Sequence, residues 1–515
     1  MRGEGSRAPA APAVNRVAIT ISIMLATFMQ GVDTTITNVA LPHMQGSLSA
    51  SQDQIAWVVT SYIVAAAIMT PLTGWLAGRF GIKYVFLISV VGFTVASALC
   101  GAATSLAQLV IYRLLQGVCG AALVPLSQSV LFQINPPERH AKAMAVWGMG
   151  VILGPIIGPA LGGYLTDFYN WRWVFYINLP FGVLAAIGIM VFIHETRHAH
   201  REPFDFFGFA TLSLAIGALQ MLLDRGELKD WFGSVEIWVE TIIAALALYL
   251  FVVHTATATN RSFLNRELLK DANCVAGTIL MFLIAIPLFG TMILLPTMLQ
   301  DLLNYPVLTT GLVTAPRGIG TMAAMLLVSR LVGRIDIRLI IMTGLAMTAI
   351  ALWQMTGFSL HMGMGPIIST GVLQGFGLGF VFTPLSIVTF STLPRQILTQ
   401  GTAIFSLTRN IGSSIGIAIV VALLAQNTQT VHSRLVEHLR EDNPLARLPH
   451  MAAPFSLTTP SGLAALNAEA TRQAAMVAYI DDFKLMMMIV VAGLPLLLLL
   501  RRPRPASGEA TAAAE

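Results

Sequence analysis

Charge is scarce in this chain: Asp, Glu, Lys and Arg make up only 11% of its 515 residues, whereas 56% are hydrophobic. Soluble domains of ordinary composition carry about 25% charged residues, so the shortage excludes a conventional water-soluble globule and implies an exterior that meets lipid. Cysteine is equally sparse. Cys100, Cys119 and Cys274 all fall in apolar segments without CxxC spacing or neighbouring His, which argues against a disulfide framework or a metal site. No GxxxxGK[ST] loop is present, so ATP is not implied, and no Ser/His/Asp constellation marks a hydrolase. A sizeable soluble output domain, which a membrane sensor or scaffold would need, is also missing. The net charge of +5 does not point to nucleic acid, because the basic residues sit in short links between apolar segments and not on one face. No small-residue cleavage site follows the first apolar run, so a cleaved signal peptide is not expected.

Apolar runs of bilayer length, in contrast, are abundant; about 20 residues cross about 30 Å of hydrocarbon. Windows between charged or Pro/Gly-marked links predict fourteen spans, near 17–41, 55–77, 84–104, 108–132, 142–165, 173–194, 207–223, 236–256, 274–300, 309–329, 338–357, 364–390, 401–425 and 484–500. With the N-terminus placed in the cytoplasm, nineteen basic residues fall in cytoplasmic links and tails. The short outer links then hold only Arg172, Arg225 and Lys229, so the bias places both termini inside. The one large outer segment, 426–483, contains His432, Glu437, His438 and Arg440 and is expected to form a small helical cap with loops. It is also a candidate docking surface for a periplasmic partner.

A repeat runs through the chain. Leu76-Ala-Gly-Arg79-Phe-Gly-Ile-Lys83 returns as Leu331-Val-Gly-Arg334-Ile-Asp-Ile-Arg338 at an offset of 255, and Leu115-Gln116-Gly117 returns as Leu373-Gln374-Gly375 at 258. Gly154 and Gly158 map at the same 258 onto Gly412 and Gly416. Such duplication predicts an all-α membrane fold of two six-helix bundles with two helices inserted between them. The expected organisation is a disordered tail over 1–16, a first bundle over 17–200, the inserted pair over 201–260, a second bundle over 261–504 and a disordered tail over 505–515. Two halves rocking about a central site make an alternating-access carrier, whereas a channel or a seven-span receptor has no need of the duplication.

Ionisable residues inside spans cost roughly 2.5–3.5 kcal/mol each at a helix centre, so each needs a reason. Asp33, Arg113, Arg317 and Arg409 stand out. Gln30, Asp33, Thr34 and Thr37 follow i, i+3, i+4, i+7 spacing, with Asn38 beside them, so a polar stripe can face the interior. Counting ~1.5 Å per residue puts Asp33 and Arg113 at similar depths, ~12 Å and ~8 Å from the outer face. They can therefore pair directly or through Gln116. Burial pushes a carboxylate toward its neutral form and a nearby cation pulls it back, so a movement that alters either can load or release a proton. Asp33 is expected to carry the proton and Arg113 to be its electrostatic partner. One proton crossing 100 mV, worth ~2.3 kcal/mol, can sustain about a fifty-fold substrate gradient. Gln116, Arg317, Gln374 and Arg409 join the stripe as expected walls of a substrate cavity.

Two glycine patterns accompany these residues. Gly150, Gly154, Gly158 and Gly162 recur every fourth residue, joined by Pro155, Pro159 and Gly163, a bare and bendable stripe expected to form a sliding seam between the halves. Gly74, Gly78, Arg79, Gly81 and Lys83 form a tight link with two cations, placed to reach helix ends or acidic groups that change between states.

Together these segments resemble the major facilitator superfamily, and within it the fourteen-span drug:proton antiporters of the EmrB/QacA type. The likeness rests on Val32-Asp33-Thr34-Thr35-Ile-Thr-Asn38-Val39-Ala40-Leu41-Pro42, on the Gly74 to Lys83 link, on Arg113 with Gln116-Gly117, and on Gly154-Pro155 through Gly162-Gly163. Trp171-Arg-Trp-Val-Phe-Tyr-Ile-Asn178-Leu-Pro180 and Leu223-Asp224-Arg225-Gly226 look like the EmrB branch. The resemblance implies a proton-gradient-driven pump of the bacterial inner membrane with no cofactor. It exports hydrophobic or amphipathic drugs and works with a periplasmic membrane-fusion adaptor and an outer-membrane channel. A proton-coupled importer or exporter of one metabolite is the alternative; the Gly/Pro stripe favours export. Two departures stand out. Gly78 replaces an acidic residue usual in the link, and Arg317 and Arg409 stand where relatives that export cations place carboxylates, which suits neutral or weakly acidic compounds.

Overall fold

A computed structural model describes residues 15–195, 203–257, 265–394, 396–437 and 459–501, together with Phe263 and Phe455. Both expected terminal tails lie essentially outside the described residues. Among the described residues, thirteen helices are long and apolar enough to cross a bilayer. They are span 1 (Arg16–Ser47), span 3 (Ile82–Ala102), span 4 (Leu106–Ile134), span 5 (Pro137–Phe168), span 6 (Trp173–Phe192), span 7 (Phe206–Arg225), span 8 (Val235–Thr257), span 9 (Ala272–Asp301), span 10 (Leu308–Leu331), span 11 (Ile337–Met355), span 12 (Met364–Phe390), span 13 (Leu398–Glu437) and span 14 (Pro460–Leu499). Span 2 is a broken pair, Gln54–Met69 and Leu72–Phe80, bent by 56°, and it completes the fourteen. The bend falls at Pro71, which has no N–H to give and whose ring crowds the carbonyl one turn back. Span 4 breaks at residues 121–122, one turn before Pro125, for the same reason.

Polar side chains mark where the helices begin. Asn15 accepts from the Ala18 N–H, Ser51 and Gln54 make a reciprocal capping box, Ser105 accepts from Gln108, and Asp271 accepts from Cys274. Between caps the chain is so apolar that large side chains such as Ile88, Val95, Trp238, Ile242 and Tyr249 stay exposed. In a bilayer they face acyl chains at no cost.

Spans 1–6 form one bundle, with span 1 packed on spans 5 and 6, span 2 on span 4, and span 3 on spans 4 and 6. Spans 9–14 form the second, with span 9 on span 13, span 10 on span 12, and span 11 on spans 12 and 14. Span 7 packs on span 8 and on two helices from opposite halves, spans 2 and 13. Leu212 and Ile216 meet Ala67 and Leu407 there, and Gln220 Nε2 donates to Ser414 Oγ at 2.7 Å. Asp205 moors this insert: it accepts from the N–H groups of Gly208 and Phe263 and from His254. Burial alone would raise its carboxyl, but those donors outweigh burial and hold it below the ordinary carboxylate range.

The region 426–483 differs from the expected cap. Span 13 continues as one helix to Glu437 and span 14 begins at Pro460, so its described parts are mainly extensions of the two spans, joined by His432 Nε2 and Asn467 Oδ1 at 2.9 Å. A helix of 40 residues is ~60 Å long, twice the hydrocarbon thickness. Windows of hydropathy end where polar residues begin, whereas backbone hydrogen bonding does not. Residues 438–454 lie outside the described ones.

Besides the packing of span 5 on span 10, the halves touch at the end of the molecule that bears the Gly74–Lys83 link. Ser129 and Thr399 hydroxyls lie 2.7 Å apart, Thr402 donates to Pro125 O, Phe132 meets Phe390, and Trp147 stacks on Phe382. Gly74 permits a close backbone approach there: a Cβ would stand 2.8 Å from Gln400 Cα. Gly74→Leu is therefore expected to hold this end apart. A cysteine placed at Ser129 in a cysteine-free background should then react with a water-soluble maleimide several-fold faster than with Gly74 intact; an unchanged rate would refute the contact.

Candidate functional site

Span 1 places Asp33 on its buried face, where side chains of spans 4 and 6 converge on its carboxylate and are themselves held by spans 2 and 3. Arg113 of span 4 donates Nη1 to Asp33 Oδ2 at 2.7 Å, Gln116 donates Nε2 to Oδ1 at 2.8 Å, and Asn178 of span 6 donates Nδ2 to the same Oδ1 at 2.8 Å. All four side chains are at most 1% exposed. The guanidinium is held in turn: Nε donates to Val58 O of span 2 at 3.0 Å, Nη1 donates to Gln116 Oε1 at 2.7 Å, and the Tyr62 ring lies 4.4 Å below its carbon. Asn178 also donates to Ser97 Oγ of span 3, whose hydroxyl donates to Phe175 O. The carboxylate thus has one formal counter-charge and two amide donors. Such an arrangement is costly to break by halves and responsive to any shift of span 4 or 6 against span 1.

The expected pairing of Asp33 with Arg113 is therefore present both directly and with Gln116 as a bridge. Asn178, Ser97 and Tyr62 were not expected in it. Asn178 stood in the sequence as a lone amide in an apolar span after an aromatic run, and nothing in its spacing tied it to span 1. The rest of the expected stripe is mixed. Thr37 donates to Asp33 O and Thr34 to Gly31 O, each within its own helix, Gln30 donates to the Tyr62 hydroxyl at 3.3 Å, and Asn38 is exposed.

In the second half, Gln374 of span 12 donates Nε2 to Thr291 Oγ1 of span 9 at 3.1 Å, and Arg317 of span 10 donates Nη2 to Leu288 O at 3.1 Å. Arg409 of span 13 reaches only its neighbour Asn410, at 3.3 Å, and its Nε is buried without a hydrogen-bond partner.

The glycine stripe lies elsewhere than expected. Cβ atoms at Gly150, Gly154, Gly158 and Gly162 would meet Met24, Gly31, Thr35 and Ile36, all on span 1, so the stripe is a seam within one half. Contact with the other half uses different positions of span 5, where Ile156 covers Gly318 and Met325 lies against Gly148. Four-residue spacing specifies that some backbone comes close, without saying which. Gly163 faces open space, so it takes no part in the seam. At Gly154 the obstacle is backbone, with Gly31 C at 2.6 Å and Val32 N at 2.8 Å from a would-be Cβ. Gly154→Ala is expected to cost about 1–3 kcal/mol by overpacking, against less than about 0.5 kcal/mol for Gly163→Ala. Thermal unfolding of the purified variants compares the two, and equal melting temperatures would dismiss the seam.

In the link, Arg79 lies 5.6 Å over the Trp75 ring. Gly78 has nothing near it, and acid comes from another helix end: a Cβ at Gly81 would run into the carboxylate of Glu195, beyond span 6. Gly81 has φ +91° and opens span 3, so Glu195 brings negative charge to a helix N-terminus.

Residues 23–417 match the family model described as Major Facilitator Superfamily. The multidrug export protein EmrB of Escherichia coli (strain K12) is 38% identical over 434 residues, 84% of each chain. EmrB of Haemophilus influenzae is 34% identical over 461 residues, 89% of this chain and 90% of its own. Among solved structures, the proton:xylose symporter XylE superposes with a TM-score of 0.59 at 13% identity, covering 94% of this chain and 99% of the other. That likeness carries the fold, and the identity to the exporters carries the branch. The chain belongs to the major facilitator superfamily, as a multi-pass secondary transporter of the EmrB multidrug-efflux type and not an enzyme.

Proposed function

We propose that this chain expels hydrophobic and amphipathic small molecules across the bacterial inner membrane in exchange for protons, with Asp33 as the proton carrier and Arg113 as its counter-charge. The observation that carries this reading is the fully buried Asp33–Arg113 pair at the meeting point of five helices. With the pair closed, the guanidinium supports an ionised Asp33. A proton entering from the outer side neutralises Asp33 and loosens the pair, so that spans 4 and 6 can shift against span 1, and closure of the pair after rocking releases the proton inward. Protonation at the outer side and release at the inner side then make the two halves' motion pay its way against a substrate gradient.

The positive-inside bias places the Gly74–Lys83 link and both termini in the cytoplasm. The contacts between halves then close the cytoplasmic end, leaving this conformation turned outward. Of the expected cavity residues, Gln30, Thr34, Asn38, Arg317 and Arg409 are accessible enough to supply the central walls, whereas Thr37, Gln116 and Gln374 are fully buried and support them from behind. The extensions of spans 13 and 14 then project into the periplasm, where they offer a helical surface to a membrane-fusion adaptor serving an outer-membrane channel.

Purified chain in liposomes with an imposed pH gradient tests the exchange. Drug flux directed against the proton flux supports efflux; flux along with the protons would identify an importer, and no flux in either direction would refute transport.

A further inference from the structure

The internal repeat lets the proton site be compared with its counterpart in the second half. Gln374 bonds Thr291 as Gln116 bonds Asp33, and Thr291 stands at the same offset of 258 from Asp33 as Gln374 from Gln116. Gly117 and Gly375 both lie under a carbonyl of the broken or neighbouring helix: a Cβ at Gly117 would run into Tyr62 O, and one at Gly375 into Arg317 O. Tyr62 and Arg317 are thus equivalents, at the offset of 255 that relates the two links. By the same matching, the place of Arg113 falls on Gly371. The first half therefore holds a carboxylate and a cation that satisfy each other. The second has exchanged the carboxylate for a hydroxyl, has moved the cation from one helix to another, and has nothing to neutralise it.

Arg317 has no acidic partner among the described residues and is not fully buried. Residues 272–300, 308–329 and 364–390 of spans 9, 10 and 12 contain no other charged residue. A guanidinium so placed is expensive unless an anion or water completes it. It matches a carboxylate in shape, presenting parallel donors to two oxygens. The apolar spans around it suit an uncharged tail.

From this asymmetry we propose that Arg317 is the anion-recognition site of the substrate cavity, taking the carboxylate of an amphipathic monocarboxylate. In effect the cargo supplies the acid that is missing at this place in the second half. The proposal rests on the reading of the centre as a substrate route, and binding measured without any gradient separates the two. Thr291 and Arg317 both reach Leu288 O, so an acid built at position 291 would lie beside the guanidinium and compete for it.

The test uses the full chain in detergent, with 1-pyrenebutyrate and its neutral amide as probes read by pyrene fluorescence. Wild type is expected to bind the carboxylate at least about tenfold tighter than the amide, as a charge-assisted bidentate pair allows. That ratio should fall to near one in Arg317→Gln and in Thr291→Asp, and survive in part in Arg317→Lys. Using the ratio removes any general loss of folded protein. Equal binding of both probes by wild type, or a ratio unchanged in Arg317→Gln, would overturn the proposal. A chain that shows the Arg317-dependent ratio yet moves no cargo in liposomes supports this site and counts against efflux.

Discussion

Asp33→Asn is expected to yield a folded protein that no longer couples export to protons. At 100 mV the steady substrate ratio across a proteoliposome membrane should drop from about fifty-fold toward one, because the ~2.3 kcal/mol carried by each proton is no longer delivered. Folding should persist because Arg113 keeps other partners: the Val58 carbonyl, the Gln116 amide oxygen and the face of Tyr62. The asparagine side chain can still accept from Gln116 or Asn178. Measuring the ratio together with size-exclusion behaviour separates loss of coupling from loss of fold. A variant that still concentrates drug against its gradient when a pH difference is applied would remove Asp33 from the mechanism.

The converse substitution should be far more damaging to the fold. Arg113→Gln removes the single cation near Asp33 and leaves a carboxylate at 0% exposure with amide donors alone, and breaking a buried pair from one side costs about 3–5 kcal/mol. Yield of monodisperse protein and melting temperature should both fall sharply. Adding Asp33→Asn to Arg113→Gln should recover much of the loss, since two neutral amides can bond each other and no charge remains stranded. If the double variant is as unstable as Arg113→Gln alone, the damage comes from lost packing against Tyr62 and Phe175 and the charge argument is wrong.

The asymmetry between these two outcomes also explains which parts of the site were legible in the sequence. A charge within an apolar span is so costly that its partner must be another charge at the same depth, and counting residues from the span ends was enough to bring Arg113 to Asp33. An amide such as Asn178 carries no comparable constraint; its needs can be met by a carbonyl of its own helix, so only the assembled bundle shows that it completes the Asp33 shell. The glycine stripe gave the closeness of a neighbouring backbone but not its identity, and the neighbour proved to be span 1 instead of the opposite half. Span number followed from hydropathy. Helix length did not, because spans 13 and 14 continue through polar sequence that a hydropathy window treats as loop.

Span 7 has one more consequence, for how cargo arrives. The two bundles face each other along two flanks, one bordered by spans 2 and 13 and the other by spans 5 and 10. On the first flank span 7 lies across both spans, bonded to Ser414 and packed on Ala67 and Leu407, with span 8 outside it. A lipophilic molecule diffusing within the leaflet meets a double wall there. The opposite flank is closed by span 5 packed directly on span 10, so the insert does for the flank of spans 2 and 13 what direct helix packing does for the other.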